Sequence, residues 1–153
     1  FADLADGLLF AGDHVLPTIT PSVGFEPMYA ELPLGDFLAS LVKVRALPDL
    51  RLLPAHGPVT ESSHTRIDEL LVHHDERLQL CLDAVESGLE TAYDVALVLP
   101  WTRHRRRMRE LDVFNATLAT LETAAHLDLL AARTRIGRTE VDGEVRYAGL
   151  PAS

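Results

Sequence analysis

The 153-residue chain holds one cysteine, Cys81, and one tryptophan, Trp101. A single thiol closes no internal disulfide and builds no thiolate zinc site, so the sequence points to a reducing, cytoplasmic setting and a fold without covalent staples. No apolar run approaches the roughly 18 residues of a membrane span, and the N-terminus has neither the basic start nor the small-residue cleavage site of a signal peptide. That excludes a membrane role. Basic residues are scarce, 14 Lys and Arg against 23 Asp and Glu, and the net charge of -9 repels nucleic acid except where basic residues cluster. No internal repeat or low-complexity segment is visible. What remains, 47% hydrophobic and 24% charged residues, is the composition of one ordinary soluble domain or two very small ones. The chain begins with Phe and enters a strand-like run almost at once, from which we expect a piece of a longer protein.

The pattern changes near the middle. Residues 1–62 are rich in Pro and Gly, with short apolar runs GLLFAG at 7–12 and LRLLPA at 50–55 that read as buried strands. Between them Leu34, Phe37, Leu38, Leu41 and Val42 recur at helical spacing, with Asp36 near the start. Strand, loop, helix, strand is an α/β order, in which the helix carries the chain between strands of one sheet. After Pro58 the chain turns helical. Ile67, Leu70, Leu71, His74, Leu78, Cys81, Leu82 and Val85 form one stripe over 65–87, capped by Ser63 or Thr65 and stopped by Gly88. Thr91-x-x-Asp94 announces a shorter helix that ends at Pro100, and Leu111, Phe114, Leu118, Leu121, Ala125 and Leu129 mark another. The tail alternates around Asp142-Gly143, the dipeptide of a two-residue hairpin. Helices followed by a hairpin are the order of a winged-helix unit, so the domains are expected at 1–72 and 73–153.

Two strand ends carry chemistry. Gly12-Asp13-His14 follows the first apolar run and Pro54-Ala55-His56-Gly57-Pro58 the second. The ends of buried strands are where sheet proteins hold ligand groups rigid yet accessible. Taken alone, Asp13 also reads as a turn former and His14 as a surface side chain. An imidazole at position 56 suits a zinc or iron centre. His14, next to Asp13 on an extended segment, is expected to point the other way. His64 reads as part of a helix cap, since no acid is spaced to orient it beside Ser62 and Ser63. His74, Cys81 and His126 sit on apolar helix faces and read as core.

Together and in this order, LLFAGDHVLPTITP, PLGDFLASL and LRLLPAHGPV resemble the C-terminal half of a metallo-β-lactamase-fold hydrolase. HTRIDELLVHHDERLQ, with His73-x-x-x-Arg77, and the helices and hairpin beyond it resemble the β-lactamase-like protein 2 branch with its winged-helix-like tail. The fold implied is α/β, the C-terminal half of an αββα sandwich followed by a helical winged-helix-like domain. The resemblance makes Asp13 the carboxylate that bridges two metal ions, zinc by implication, and His56 a ligand to one of them. It implies a hydrolase whose water is activated between those metals, acting on an acyl-thioester, lactone or phosphodiester. The family's His-x-His-x-Asp-His motif is absent, which leaves two metal ligands where a catalytic zinc usually takes three from protein. We therefore expect a C-terminal portion that binds zinc weakly and is inactive alone, with no catalytic residue of its own.

Two further expectations follow. The run Arg103-His104-Arg105-Arg106-Arg107-x-Arg109 reverses the acidic balance locally, and the competing reading is a non-catalytic module that uses it to hold RNA or another protein. Trp101 beside it reads either as a packing anchor or as a base-stacking platform. A half-sandwich also leaves an inner sheet face bare, on which Leu8, Phe10, Leu50 and Leu52 are expected. The partners that would cover it are the missing N-terminal half, a second copy of the chain, or the helix of 65–87 folded back. Asp13 and His56 should then approach within about 7 Å, given metal-ligand bonds near 2 Å.

Overall fold

The computed structural model describes residues 1–25, 30–101 and 106–151. They form two compact units, Phe1–Pro21 with Gly35–Asp75, and Ser22–Leu34 with Glu76–Ser153. Among the described residues, no helix is long and apolar enough to cross a membrane.

The first unit is built on a three-stranded sheet in the order β1 (Ala2–Asp3), β2 (Leu8–Gly12), β3 (Arg51–Pro54). β1 pairs antiparallel with β2, and β2 pairs parallel with β3. A parallel pair needs a crossover between its strands, and helix α1 (Pro33–Arg45) lies in that connection. Pro33 starts it without losing a needed N–H, Asp36 sits in its first turn, and Lys43 and Arg45 sit in its last, each on the favourable side of the helix dipole. Register places Leu9 opposite Leu52 on one face of the pleat, and Leu8 opposite Arg51 and Phe10 opposite Leu53 on the other. The Leu9 face closes the core with Val15, Leu41, Leu50, Ile67 and Leu70. Each such leucine, fully buried, contributes about 1.5–3 kcal/mol.

The expected inner face is covered in part from within the chain. Leu50 and Leu52 are buried, because α1 and the first turns of helix α2 (Ser63–Glu86) lie on them. Leu52 also stands on the opposite side of the pleat from Leu8 and Phe10, so the four residues never shared a face. Phe10 remains 46% exposed, with Phe1 against it at a centroid distance of 6.2 Å. Val42, expected on the apolar stripe of α1, faces outward at 57% exposure.

The start of α2 is held by more than one cap. The Ser62 hydroxyl accepts the Thr65 N–H at 3.0 Å, while the Asp49 carboxylate accepts the His64 N–H at 3.0 Å and the Ser62 hydroxyl proton at 2.8 Å. The cap is therefore Ser62, and neither Ser63 nor Thr65 as expected. Ser63 is buried instead, and its hydroxyl accepts the Leu50 N–H at 3.3 Å. The helix ends as expected at Gly88. The Gly88 N–H reaches the Val85 carbonyl and the Leu89 N–H reaches that of Ala84, the paired bonds of a Schellman ending.

In the second unit, helix α3 (Ala92–Val98) is capped by Thr91, whose hydroxyl oxygen accepts the Asp94 N–H. A short ribbon follows, β4 (Pro100–Trp101) antiparallel to β5 (Arg106–Arg107), which the sequence did not announce. The Arg77 guanidinium lies 3.8 Å from the centre of the Trp101 ring and donates to the Pro100 carbonyl, while the indole N–H donates to the Ala96 carbonyl. That is an anchor, and it occupies one face of the ring.

Helix α4 (Val113–Ala132) starts at Asp112, which accepts the Asn115 N–H. Its buried side carries Ala119, Thr123, Ala125, Leu127, Leu129 and Leu130, whereas Phe114 at 61% and Leu121 at 38% exposure point outward. The expected stripe holds at Ala125 and Leu129 and fails at Phe114 and Leu121. The helix is apolar around most of its girth, so α3 and the 3-10 turn Val23–Phe25 that pack on it select the buried face. The Glu122 carboxylate receives the backbone N–H groups of Val23 and Gly24, and burial raises it from the ordinary carboxylate range. Strands β6 (Ile136–Val141) and β7 (Glu144–Gly149) close the expected hairpin, with Asp142 at φ 52° and Gly143 at φ 80°, both left-handed as a type I′ turn requires. Tyr147 is buried there and donates its hydroxyl proton to Asp128.

Asp49 supplies a pH signature. The hydrogen bonds led by the His64 N–H hold its carboxyl below the ordinary range. A carboxyl depressed in the folded state stabilises above its unfolded value, near pH 4, and that share is lost as pH falls through the folded value. Asp49→Asn should flatten the acid limb of a denaturant-midpoint profile between pH 7 and 3, whereas Ser62→Ala should cost about 1 kcal/mol at pH 7.

Candidate metal centre

β2 and β3 are parallel, so their carboxyl ends lie side by side. The pairing runs on to Gly12 opposite Pro54, through a bulge after Phe10, and the Ala55 N–H still donates to the Gly12 carbonyl at 2.9 Å. Each chain then leaves the sheet by one of the two residues singled out from the sequence. Asp13 Oδ1 and His56 Nδ1 stand 2.6 Å apart, a short charge-assisted contact, with side chains 64% and 73% exposed respectively.

Gly57 shapes the second of these turns. Its φ of +92° is the left-handed region, and a Cβ built there would lie 2.8 Å from Pro17 Cγ. Only glycine lets the turn after β3 close against the loop that follows Asp13.

The other histidines are placed as follows. His14 is half-buried, its ring edge-on to Phe37 at 5.3 Å, and burial lowers its pKa. It does not join Asp13 and His56, since among the described residues no third His, Cys, Asp or Glu brings a ligand atom within 4.8 Å of both. His64 is a clamp at the start of α2, its Nε2 donating to the Leu47 carbonyl and its Nδ1 accepting from Arg45, whose guanidinium also pairs with Asp68. His74 is buried, with its ring 5.6 Å from that of Phe37. Cys81 is buried, which pushes its thiol up to about 12 and leaves it without nucleophilic or ligating character near neutral pH. His126 is buried on α4, where its Nδ1 meets the Glu122 carbonyl at 2.7 Å.

The arginine run is divided. Arg103, His104 and Arg105 lie outside the described residues. Arg106, Arg107 and Arg109 are exposed, on β5 and the turn after it. The wing arginines are committed, Arg138 to Asp128 at 2.9 Å and Arg146 to Glu144 and Glu90 at 2.6 and 2.8 Å.

The donor set at positions 13 and 56 fits a borderline metal ion such as zinc, which takes carboxylate oxygen and imidazole nitrogen alike. It fits as part of a shell, because a catalytic zinc usually has three protein ligands. Sequence reasoning missed Gly57's contact with Pro17, because the two are far apart in the chain and nothing in their composition pairs them.

Neither a protein-family model nor a curated protein matches the chain. Solved structures do. A β-lactamase domain protein from Burkholderia ambifaria is 36% identical, with a TM-score of 0.81 over 95% of this chain and 42% of its own. A metallo-β-lactamase family protein from Thermus thermophilus is 31% identical, with a TM-score of 0.75 over 95% of this chain and 43% of its own. The chain thus spans less than half the length of either, and its fold is that of the C-terminal portion of metallo-β-lactamase-fold proteins.

Gly57→Ala should force the Pro17 side of the turn apart or rotate the backbone, at about 1–3 kcal/mol. The thermal midpoint should fall and the His56 ring resonances should move, with little change at His64.

Proposed function

We propose that the chain is the C-terminal portion of a metal-dependent hydrolase of the metallo-β-lactamase superfamily, with Asp13 and His56 as two of its metal ligands. The observation that carries this is the 2.6 Å approach of a carboxylate and an imidazole at the ends of two parallel strands. The likeness to two metallo-β-lactamase-type structures over 95% of the chain supports it. Zinc ions held at such a site, two in the complete domain, would polarise an ester-type substrate and supply activated water.

The chain's own residues do the following. Asp13 offers an anionic oxygen and His56 an imidazole nitrogen, and both are held by backbone that the sheet fixes. Without metal each is the other's hydrogen-bond partner. The remaining ligands belong to a His-x-His-x-Asp-His segment that these 153 residues do not contain, so the chain alone is an inactive hydrolase. Acyl-thioester, lactone and phosphodiester substrates suit the same chemistry. We place this work in the cytoplasm, and we assign the exposed Phe1, Leu4 and Phe10 to an interface with the other half of the domain or with a second copy.

A second reading is favoured by one observation. Arg106, Arg107 and Arg109 are exposed beside the ribbon, and helices ending in a hairpin have the order of a winged helix. In that reading the second unit holds RNA and needs no chemistry.

Calorimetric titration with zinc should show weak binding that Asp13→Ala removes. Tight binding indifferent to that change would place the ligands elsewhere. A single-stranded RNA oligonucleotide titrated at several salt concentrations tests the second reading. If Arg106 and Arg107 contact phosphate, replacing both by Ala should lower the slope of log K against log salt by about 1.4.

A further inference from the structure

We propose that Arg66 is a positioning residue for the Asp13 and His56 pair, acting through the loop 16–19. The inference rests on the metal-site reading above and deepens it.

Asp13 stands at the head of a stretch without regular secondary structure that runs from residue 13 to residue 22. Two contacts on the core side hold that stretch down, Val15 at 0% and Leu16 at 4% exposure. Beyond them the chain turns outward, and Thr18 and Ile19 are exposed. What grips this outer part is Arg66, from the first turns of α2. Its Nε donates to the Leu16 carbonyl at 2.6 Å and its Nη2 to the Ile19 carbonyl at 3.1 Å. Its Nη1 is held by Glu69 at 2.8 Å, and its side chain is only 16% exposed. The guanidinium thus bridges two carbonyls three residues apart, and fixes the two residues between them.

Those two residues are the ones that meet the His56 turn. Pro17 Cγ and Thr18 Oγ1 lie 2.8 and 3.7 Å from where a Cβ on Gly57 would stand. The path is short and physical, from the Arg66 fork to the 16 and 19 carbonyls, to Pro17 and Thr18, to Gly57, and so to His56. The same loop leads back to Asp13. Arg66 therefore sets the gap between the two ligands without touching either. A guanidinium suits this task because its donors have a fixed planar spread, whereas an ammonium is a single point that cannot hold both carbonyls in one geometry.

The test uses the full chain with three variants, Arg66→Ala, Arg66→Lys and Arg45→Ala. Arg45→Ala removes a more exposed guanidinium of the same unit, with its pair to Asp68 and its bond to His64, leaves the carbonyls of Leu16 and Ile19 with their partner, and controls for general loss of stability. Zinc affinity by calorimetry, well below each variant's thermal midpoint, should fall about tenfold or more in Arg66→Ala, as for other residues that orient a ligand through a second contact. It should fall less in Arg66→Lys and stay unchanged in Arg45→Ala. Equal zinc affinity in Arg66→Ala and the parent chain would overturn the proposal. If the parent chain binds no zinc, the metal reading fails, and the metal-free His56 ring and Gly57 amide resonances at fixed pH decide the positioning role. A shift in Arg66→Ala beyond that in Arg45→Ala sustains it, and no such shift overturns it. Should Arg66→Ala not fold, Arg66→Lys is read in its place against the same control.

Discussion

The parallel pairing of β2 with β3 is the contact on which the rest of the first unit depends. It joins strands separated by about forty residues of chain, so α1 must lie in the connection, and the core that Leu9 and Leu52 begin is completed by Leu41 of α1 and Ile67 and Leu70 of α2. Parallel strands also finish together. A carboxylate one residue past the end of β2 and an imidazole two past the end of β3 are then neighbours by construction, and the hydrogen bond between Ala55 and Gly12 is the last rung beneath them. Had the two strands been antiparallel, the same residues would stand at opposite ends of the sheet.

The exposure of that pair is as informative as its geometry. Asp13 and His56 are both more than half exposed, whereas several other acid and imidazole groups of the chain are engaged in holding its backbone. Asp49 gathers the start of α2, His64 ties Arg45 to the Leu47 carbonyl, and Glu122 secures the 3-10 turn at Val23 and Gly24. Groups tied to backbone partners in this way are costly to disturb. An acid and a base placed outward at a strand end serve no such purpose in the packing.

Much of this was legible from the sequence where short-range chemistry decides. Gly88 and Asp142-Gly143 punctuate the chain by conformations that glycine and aspartate tolerate, and Thr91 caps by its own hydroxyl, so α2, α3 and the hairpin fall where they were expected. Asp13 and His56 were legible because each follows an apolar run closed by glycine or proline. The faces were less legible. On α4 apolar residues surround most of the helix, so a period of 3.6 fits several directions, and only the neighbouring α3 and 3-10 turn choose among them. On β2 the alternation was read one residue out of step, which put Phe10 inside and left Leu9 unnoticed. The ribbon of Pro100 and Trp101 with Arg106 and Arg107 left no signal, being two residues long on each side.

The sequence by itself therefore determined where elements begin and end, and which two side chains stand at strand ends, because caps, turns and strand termini are set by residues within a few positions of one another. Tertiary structure alone decided which way each face turns, which strand lies beside which, and how the turns at Asp13 and His56 are braced. Those outcomes depend on contacts between residues distant in the chain, Leu9 with Leu52, Pro17 with Gly57 and Arg66 with the Leu16 and Ile19 carbonyls. No local propensity encodes such a pairing, since it exists only once the crossover through α1 has closed and the core has formed.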